Sequence, residues 1–197
     1  MKKVEYNNNA LEKKLHIGVI GEAKTAINHI KMLEKLDAEF SLVNLSEVNN
    51  QAFDGLIIPH GLSNLCDLRL KRFVHEAFDS GLPILATGNS ISLLDKDHVG
   101  IMSIRTSAAS INIEGQGGLI LGKIHTISSQ FPMIFSKTTS GIQTDKDVEI
   151  LAQVNGYTVA AKEDEVIVTS FLPEYSENTS VHEYFLQTCL RKKILNA

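Results

Sequence analysis

Four short, mostly apolar runs, each followed closely by glycine or another turn signal, dominate the first half of this chain: "LHIGVIG" (Leu15–Gly21), "EFSLVNL" (Glu39–Leu45), "FDGLIIPHG" (Phe53–Gly61) and "LPILATG" (Leu82–Gly88). Strands this apolar are covered on both faces. Between them, Thr25–Leu36 sets Ala26, Ile30 and Leu33 at helical spacing, with Ile27 and Leu36 as further members of the face. Leu65–Phe78 repeats the pattern with Leu65, Leu68, Phe73 and Ala77. Continuous apolar strands alternating with amphipathic helices predict an α/β fold around a parallel sheet.

The second half reads differently. "SAASINIEG", "GGLILGKIHTI" and "FPMIFSK" are short extended candidates punctuated by glycine and proline. "VEILAQVNGYTVAAKEDEVIVTSFL" then carries three strands. Asn155-Gly156 marks a tight hairpin between the first two, and Glu163-Asp164-Glu165 a polar turn before the third. Ser180-x-x-Glu183 predicts a capping box opening a last helix. Its apolar face holds Val181, Tyr184, Phe185, Thr188 and Cys189, while Arg191, Lys192 and Lys193 complement the dipole at its end. The expected organisation is a polar N-terminal extension over residues 1–14 and one domain over 15–197, mostly parallel with an antiparallel extension.

Composition narrows the partners. A net charge of −4 over 197 residues gives no electrostatic case for nucleic acid. No apolar run is long enough to span a bilayer, and the N-terminus has no apolar core of a signal peptide. Two distant cysteines, Cys66 and Cys189, fit neither a disulfide framework nor a metal site. The expected setting is the cytoplasm, with no nucleic-acid or membrane partner.

Ligands in such sheets bind beyond the carboxyl ends of the strands, so the loops Gly21–Lys24, Pro59–Asn64, Thr87–Ser90 and Leu172–Tyr175 are the candidate site. "GLPILATGNSIS" (Gly81–Ser92) reads there as strand, sharp turn and helix start, the setting in which many α/β enzymes hold a nucleophile. The tip is Gly88, which has no side chain.

The ordered set "IGVIG … DGLIIPHGLSN … GLPILATGNS … HVGIM … VEIL … NGYTVAAK … SFLPE" resembles the glutaminase subunits of pyridoxal 5'-phosphate synthase, which are class I, triad-type glutamine amidotransferases. The resemblance runs from about Leu15 to the C-terminal helix. It implies a three-layer, flavodoxin-like α/β fold, no cofactor, and a (β/α)8-barrel synthase subunit as partner. In such enzymes an elbow cysteine attacks the amide carbon, a histidine moves the proton, a glutamate orients the histidine, and backbone N–H groups hold the oxyanion.

This chain departs from the pattern the resemblance implies. The family's GTCAG is Ala86-Thr87-Gly88-Asn89-Ser90, and its SFHPE is Ser170-Phe171-Leu172-Pro173-Glu174. Gly88 and Leu172 therefore stand where the nucleophile and base are expected, and Glu174 alone of the triad is retained. The substrate loop PGGEST is Pro59-His60-Gly61-Leu62-Ser63-Asn64; Gly61 and Ser63 match, and Leu62 replaces the glutamate. The pocket arginines align near Ala108 and with Lys137, a further histidine with Ser140, and the partner-facing LQG with Glu22-Ala23-Lys24. Together with Asn89, residues His60, Gly61, Leu62, Ser63, Ala108 and Lys137 make up the pocket-equivalent set. Glycine takes φ > 0 without penalty, so loss of the nucleophile keeps the fold and relaxes an elbow of unchanged geometry by about 1–3 kcal/mol.

Other residues could stand in for the missing groups. Cys66, with apolar neighbours, reads as a packed inert thiol. Ser63 and Ser90 each need a base within reach, and His60 is the nearby candidate, so a His60–Glu174 pair is worth testing against a loop histidine with no such partner. Glu174 reads first as an acceptor for backbone or hydroxyl donors, and His29 as structural. His16, His75, His98, His125 and His182 show no metal spacing. "GQGG" (Gly115–Gly118) reads as a turn, and Asp95, Asp97 and Glu163–Glu165 as solvated surface. Three functions are open at this point. The first is an inactive homologue regulating or scaffolding a synthase-like partner. The second is a binding module whose remodelled pocket takes another small molecule. The third is an amidotransferase using other residues. Loss of a triad nucleophile or base costs on the order of a million-fold in turnover, which weighs against the third.

Overall fold

The computed structural model describes residues 14–45, 52–62, 64–110, 118–136 and 139–196. The parallel part comprises β1 (His16–Ile20), β2 (Glu39–Val43), β3 (Gly55–Ile58) and β4 (Ile84–Thr87), with helices α1 (Ala23–Lys35) and α2 (Leu68–Asp79) between them. A 3-10 segment, Gly88–Leu94, follows β4 directly. The chain continues through β5 (Ile104–Ser110), β6 (Leu119–Ile124), β7 (Ser128–Ile134), β8 (Ser140–Thr144), β9 (Glu149–Val154), β10 (Tyr157–Glu163) and β11 (Val166–Thr169), and ends in α3 (Ser180–Leu195). The main sheet runs β2-β1-β3-β4-β11-β10-β8-β5, with β9 beside β10; β6 and β7 form a separate two-stranded ribbon. Pairs from β2 to β11 are parallel and those from β11 to β5 antiparallel. The mixed, mostly parallel class is therefore as expected.

The period-2 pleat sorts the apolar runs between two cores. Ile57, Leu85 and Ile167 face a layer made by α1, α3 and the ribbon. Leu56, Ile58, Ile84, Ala86, Val166 and Val168 face the layer of α2 and the segment after β4. Helix α3 lies directly on β3: a Cβ at Gly55 would sit 2.5 Å from Cys189 Sγ and 2.8 Å from Phe185 Cζ. The hairpin at Asn155-Gly156 forms with φ of 51° and 81°, the left-handed pair that a two-residue turn of this type needs.

Several local expectations change. Ile27 is 43% exposed and His29 and Met32 fill the buried face of α1 instead. Leu68 is 79% exposed because α2 starts there, capped by Asp67, whose side chain accepts the Arg69 N–H; its buried face is Leu70, Val74 and Ala77. Cys66 consequently lies in the turn before α2 and is exposed rather than packed. At α3 the Ser180 N–H is taken by Asn178 Oδ1 (2.9 Å), and Glu183 pairs with Thr179, so no Ser180–Glu183 capping box forms. Asp95 is buried, accepting His98 Nδ1 (2.9 Å), Thr106 Oγ1 (2.7 Å) and the Asp97 N–H (3.1 Å). Burial pushes its carboxyl up, but the His98 and Thr106 donors outweigh this and hold it below the usual carboxylate range. Glu163 is not simply solvated either: its Oε2 accepts the Ser103 N–H at 2.5 Å. Of the extension, only Lys14 is described, paired with Asp37. The 111–115 part of the first extended candidate and residues 115–117 of "GQGG" lie outside the described residues.

Candidate functional site

The site is built where β3, β4 and β11 end side by side, held in register by Ile58↔Ala86 and Thr169↔Thr87. Gly88 has φ +59°, the left-handed geometry of an elbow. A Cβ there would lie 2.4 Å from His60 Nδ1, 2.7 Å from His60 Cγ and 2.7 Å from Leu172 Cδ2. These separations are far inside van der Waals contact, so the space above the elbow belongs to the imidazole and the leucine.

Two backbone donors flank that space. The Asn89 N–H donates to His60 Nδ1 (3.1 Å), and the Gly61 N–H donates to Asn89 Oδ1 (2.9 Å). The first bond leaves Nδ1 unprotonated and places the His60 ring proton on Nε2. The His60 N–H donates to Thr87 Oγ1 (3.2 Å). Ser90 is fully buried and its hydroxyl is committed to main-chain carbonyls, Pro59 O being nearest at 2.6 Å. Among the described residues no base is bonded to it.

Glu174 does not meet His60. Its Oε1 accepts the Thr87 hydroxyl (3.2 Å) and lies 3.4 Å from His29 Nε2. His29 Nε2 is 3.3 Å from Thr87 Oγ1, and His29 Nδ1 is 3.0 Å from His182 Nε2. All four side chains are buried. Counting protons assigns the tautomers with one proton per ring. The Thr87 hydroxyl donates to the carboxylate, so His29 Nε2–H points to Thr87 and Glu174. His29 Nδ1 then accepts His182 Nε2–H, which leaves the lone pair of His182 Nδ1 without a partner, as observed. Burial, reinforced by the neighbouring His29, pushes His182 well below the ordinary histidine range and keeps it neutral. Glu174 Oε2 is also buried without a partner among the described residues.

The pocket-equivalent residues divide. His60, Gly61 and Asn89 gather at the elbow with Leu172. Leu62 instead lines a cleft of about 620 Å³ with Gly21, Glu22, Asn44, Asn64 and Arg69. This cleft lies beside the β1/β3 boundary, where the chain leaves β1 for β2 on one side and β3 for β4 on the other, the switch point at which open α/β sheets hold ligands. Ala108 lies on β5; Ser63 and Lys137 lie outside the described residues. Among the described residues no cluster of three metal-ligating side chains occurs, and no helix is long and apolar enough to cross a membrane. Sequence reasoning missed Thr87 and His182 as network members. The available signal for His182 was its place on the α3 stripe with Leu186 and Cys189.

Comparison with known proteins adds relatives over nearly the whole length. The pyridoxal 5'-phosphate synthase subunit PdxT of Methanocorpusculum labreanum is 33% identical over 184 residues, 88% of this chain and 97% of that protein. Its namesake in Streptococcus pneumoniae is 31% identical over 193 residues, 91% and 100% of the two chains. In Haemophilus influenzae the figures are 32% over 189 residues, 89% and 98%. Among solved structures, a glutamine amidotransferase superposes with a TM-score of 0.67 at 19% identity, covering 88% of this chain and 98% of its own. One from Thermotoga maritima gives 0.63 at 11%, covering 93% and 87%. These two bear on the fold alone. The SNO glutamine amidotransferase family model matches residues 19–191, and the chain belongs to that family.

Proposed function

We propose that this chain is a catalytically inert member of the family that serves a pyridoxal 5'-phosphate synthase as a regulatory or scaffolding subunit, docking on a (β/α)8-barrel partner in the cytoplasm. The observation that carries the reading is Gly88. The elbow keeps its left-handed turn, but the position offers no nucleophile, and the volume a side chain would need is taken by His60 and by Leu172, the residue in the base's place. Glu174 supports the same reading, since its carboxylate is turned to buried Thr87 and His29 rather than to any group at the elbow. Neither Ser90, with its hydroxyl committed to carbonyl oxygens, nor the exposed Cys66 in the turn before α2 offers a nucleophile paired with a base. The ground for the partner is that the relatives are named as synthase subunits.

The test is ammonia release from glutamine by the purified chain, alone and mixed with the synthase subunit of a relative. No release above background in either arm is expected, together with co-elution of the two proteins. Sustained turnover in either arm overturns inertness, and failure to co-elute at micromolar concentrations overturns the partner. The switch-point cleft favours a second reading, a small-molecule binding module, since its volume is in the range of ligand pockets and Leu62 gives it an apolar wall. A metabolite that raises the melting temperature of the wild type, but not of Leu62→Glu, would select it.

A further inference from the structure

We propose that the oxyanion cradle at the elbow is closed by the chain's own side chains, with the Asn89 carboxamide held on the Gly61 N–H as a built-in stand-in for a substrate amide and His60 capping the second donor. The inference deepens the reading above and rests on it for what such a cradle would otherwise hold.

A cradle at a strand–turn–helix elbow uses the N–H of the residue after the tip and an N–H from the neighbouring strand's loop. Here those donors are the Asn89 and Gly61 N–H groups, and both are occupied. The loop after β3 supplies the acceptor for the elbow's donor, His60 Nδ1 at 3.1 Å. The elbow supplies the acceptor for the loop's donor, Asn89 Oδ1 at 2.9 Å. The group on Gly61 is a primary carboxamide, the same functional group that a glutamine side chain presents. The two bonds cross between the same two segments, so an incoming carbonyl or carboxylate oxygen must displace both acceptors, and opening one segment frees both donors together. Above the pair, the His60 ring fills the volume over the Gly88 Cα, with Leu172 against it. His60 is also tied at its own N–H to Thr87 Oγ1, inside the buried network. Glycine at the tip and histidine in the loop are therefore sterically coupled: with this imidazole in place, the tip accepts no side chain.

Asn89 and Gly61 are exposed, so the closure can be read directly by hydrogen exchange of single amides in the intact chain. In the wild type both N–H groups exchange slowly. Asn89→Ala speeds Gly61, and His60→Ala speeds Asn89, each by roughly tenfold, as expected for loss of one bond at a locally opening site. Added glutamine leaves both amide signals of the wild type in place. Wild-type exchange at the rate of an open loop, variants without effect, or a glutamine-dependent shift of both signals would each overturn the closure. Melting temperatures supply the steric arm. Gly88→Ala lowers the midpoint by several degrees more in the wild-type background than in His60→Gly, because the left-handed strain is common to both and only the clash differs. Equal losses overturn the coupling. Glutamine hydrolysis by the wild type would sink inertness; an open cradle without hydrolysis would sink this inference alone.

Discussion

Thr87 and Asn89 flank Gly88, and each anchors a polar cluster of a different kind. Thr87 belongs to a chain of buried side chains, His182–His29–Thr87–Glu174, closed off from solvent and carrying two polar atoms without partners. Asn89 belongs to a pair of bonds at the surface, joining two exposed residues, Asn89 and Gly61, to the half-buried His60 ring. The free-energy consequences differ accordingly. A buried polar group left alone costs its full desolvation, whereas an exposed hydrogen bond exchanges for one to water at little net change. The buried cluster is therefore scaffold, and the exposed pair is a contact a partner could open.

The largest effect should come from the buried side. His29→Ala leaves a cavity, strips His182 Nε2 of its partner and takes one contact each from Thr87 and Glu174, for an expected loss of about 3 kcal/mol in urea denaturation. A loss under about 1 kcal/mol would mean the network is not formed as described. Asp95 offers the contrast of a buried carboxylate whose donors are in place. Asp95→Asn should cost about 2 kcal/mol at neutral pH. Because the carboxyl is held below its usual range, its contribution is present above the unfolded-state value and disappears as pH falls through the lowered one. The variant should therefore lack that part of the acid-limb slope, and an unchanged slope would remove Asp95 from the account.

His182 has the opposite charge type with the same sign of dependence. Its folded-state value is lowered, so the unfolded chain takes up a proton first, and stability falls as pH drops below about 6.5. The slope from one such group approaches about 1.4 kcal/mol per pH unit. His182→Phe should flatten it between pH 5 and 6.5, and an unflattened slope would place the proton uptake elsewhere. Smallest of all, Asn89→Ala should change global stability by less than about 1 kcal/mol while altering local exchange. A larger loss would erase the distinction between the two clusters.

The parallel strands were legible because continuous apolar runs ended by glycine or proline leave few alternatives, and the elbow was legible because a buried strand, a sharp turn and a helix start follow one another around Gly88. The helix starts were read less well. Asp67 caps α2 by a side chain–backbone bond that no periodicity reveals, so that start was set early at Leu65; α3 does begin at Ser180, but its Ser180 N–H goes to Asn178 rather than into a capping box with Glu183. Of the site, the loops and Gly88 could be named in advance. The closure by Asn89 could not, because it depends on which way one side chain turns toward a backbone N–H 28 positions away in sequence. The His29–His182 contact spans 153 positions and joins residues that read separately as one structural and one scattered histidine.

The intimate seating of α3 on Gly55 has a practical corollary for anyone labelling this molecule. The Cys189 thiol is walled in against β3, and burial drives its ionisation far above the working range of maleimide chemistry. Cys66 is the other cysteine of the sequence and stands in the open, in the turn between Asn64 and Asp67, two residues that line the switch-point cleft. The native protein thus carries one addressable thiol, and a dye can be attached in the turn before α2 without any engineered cysteine.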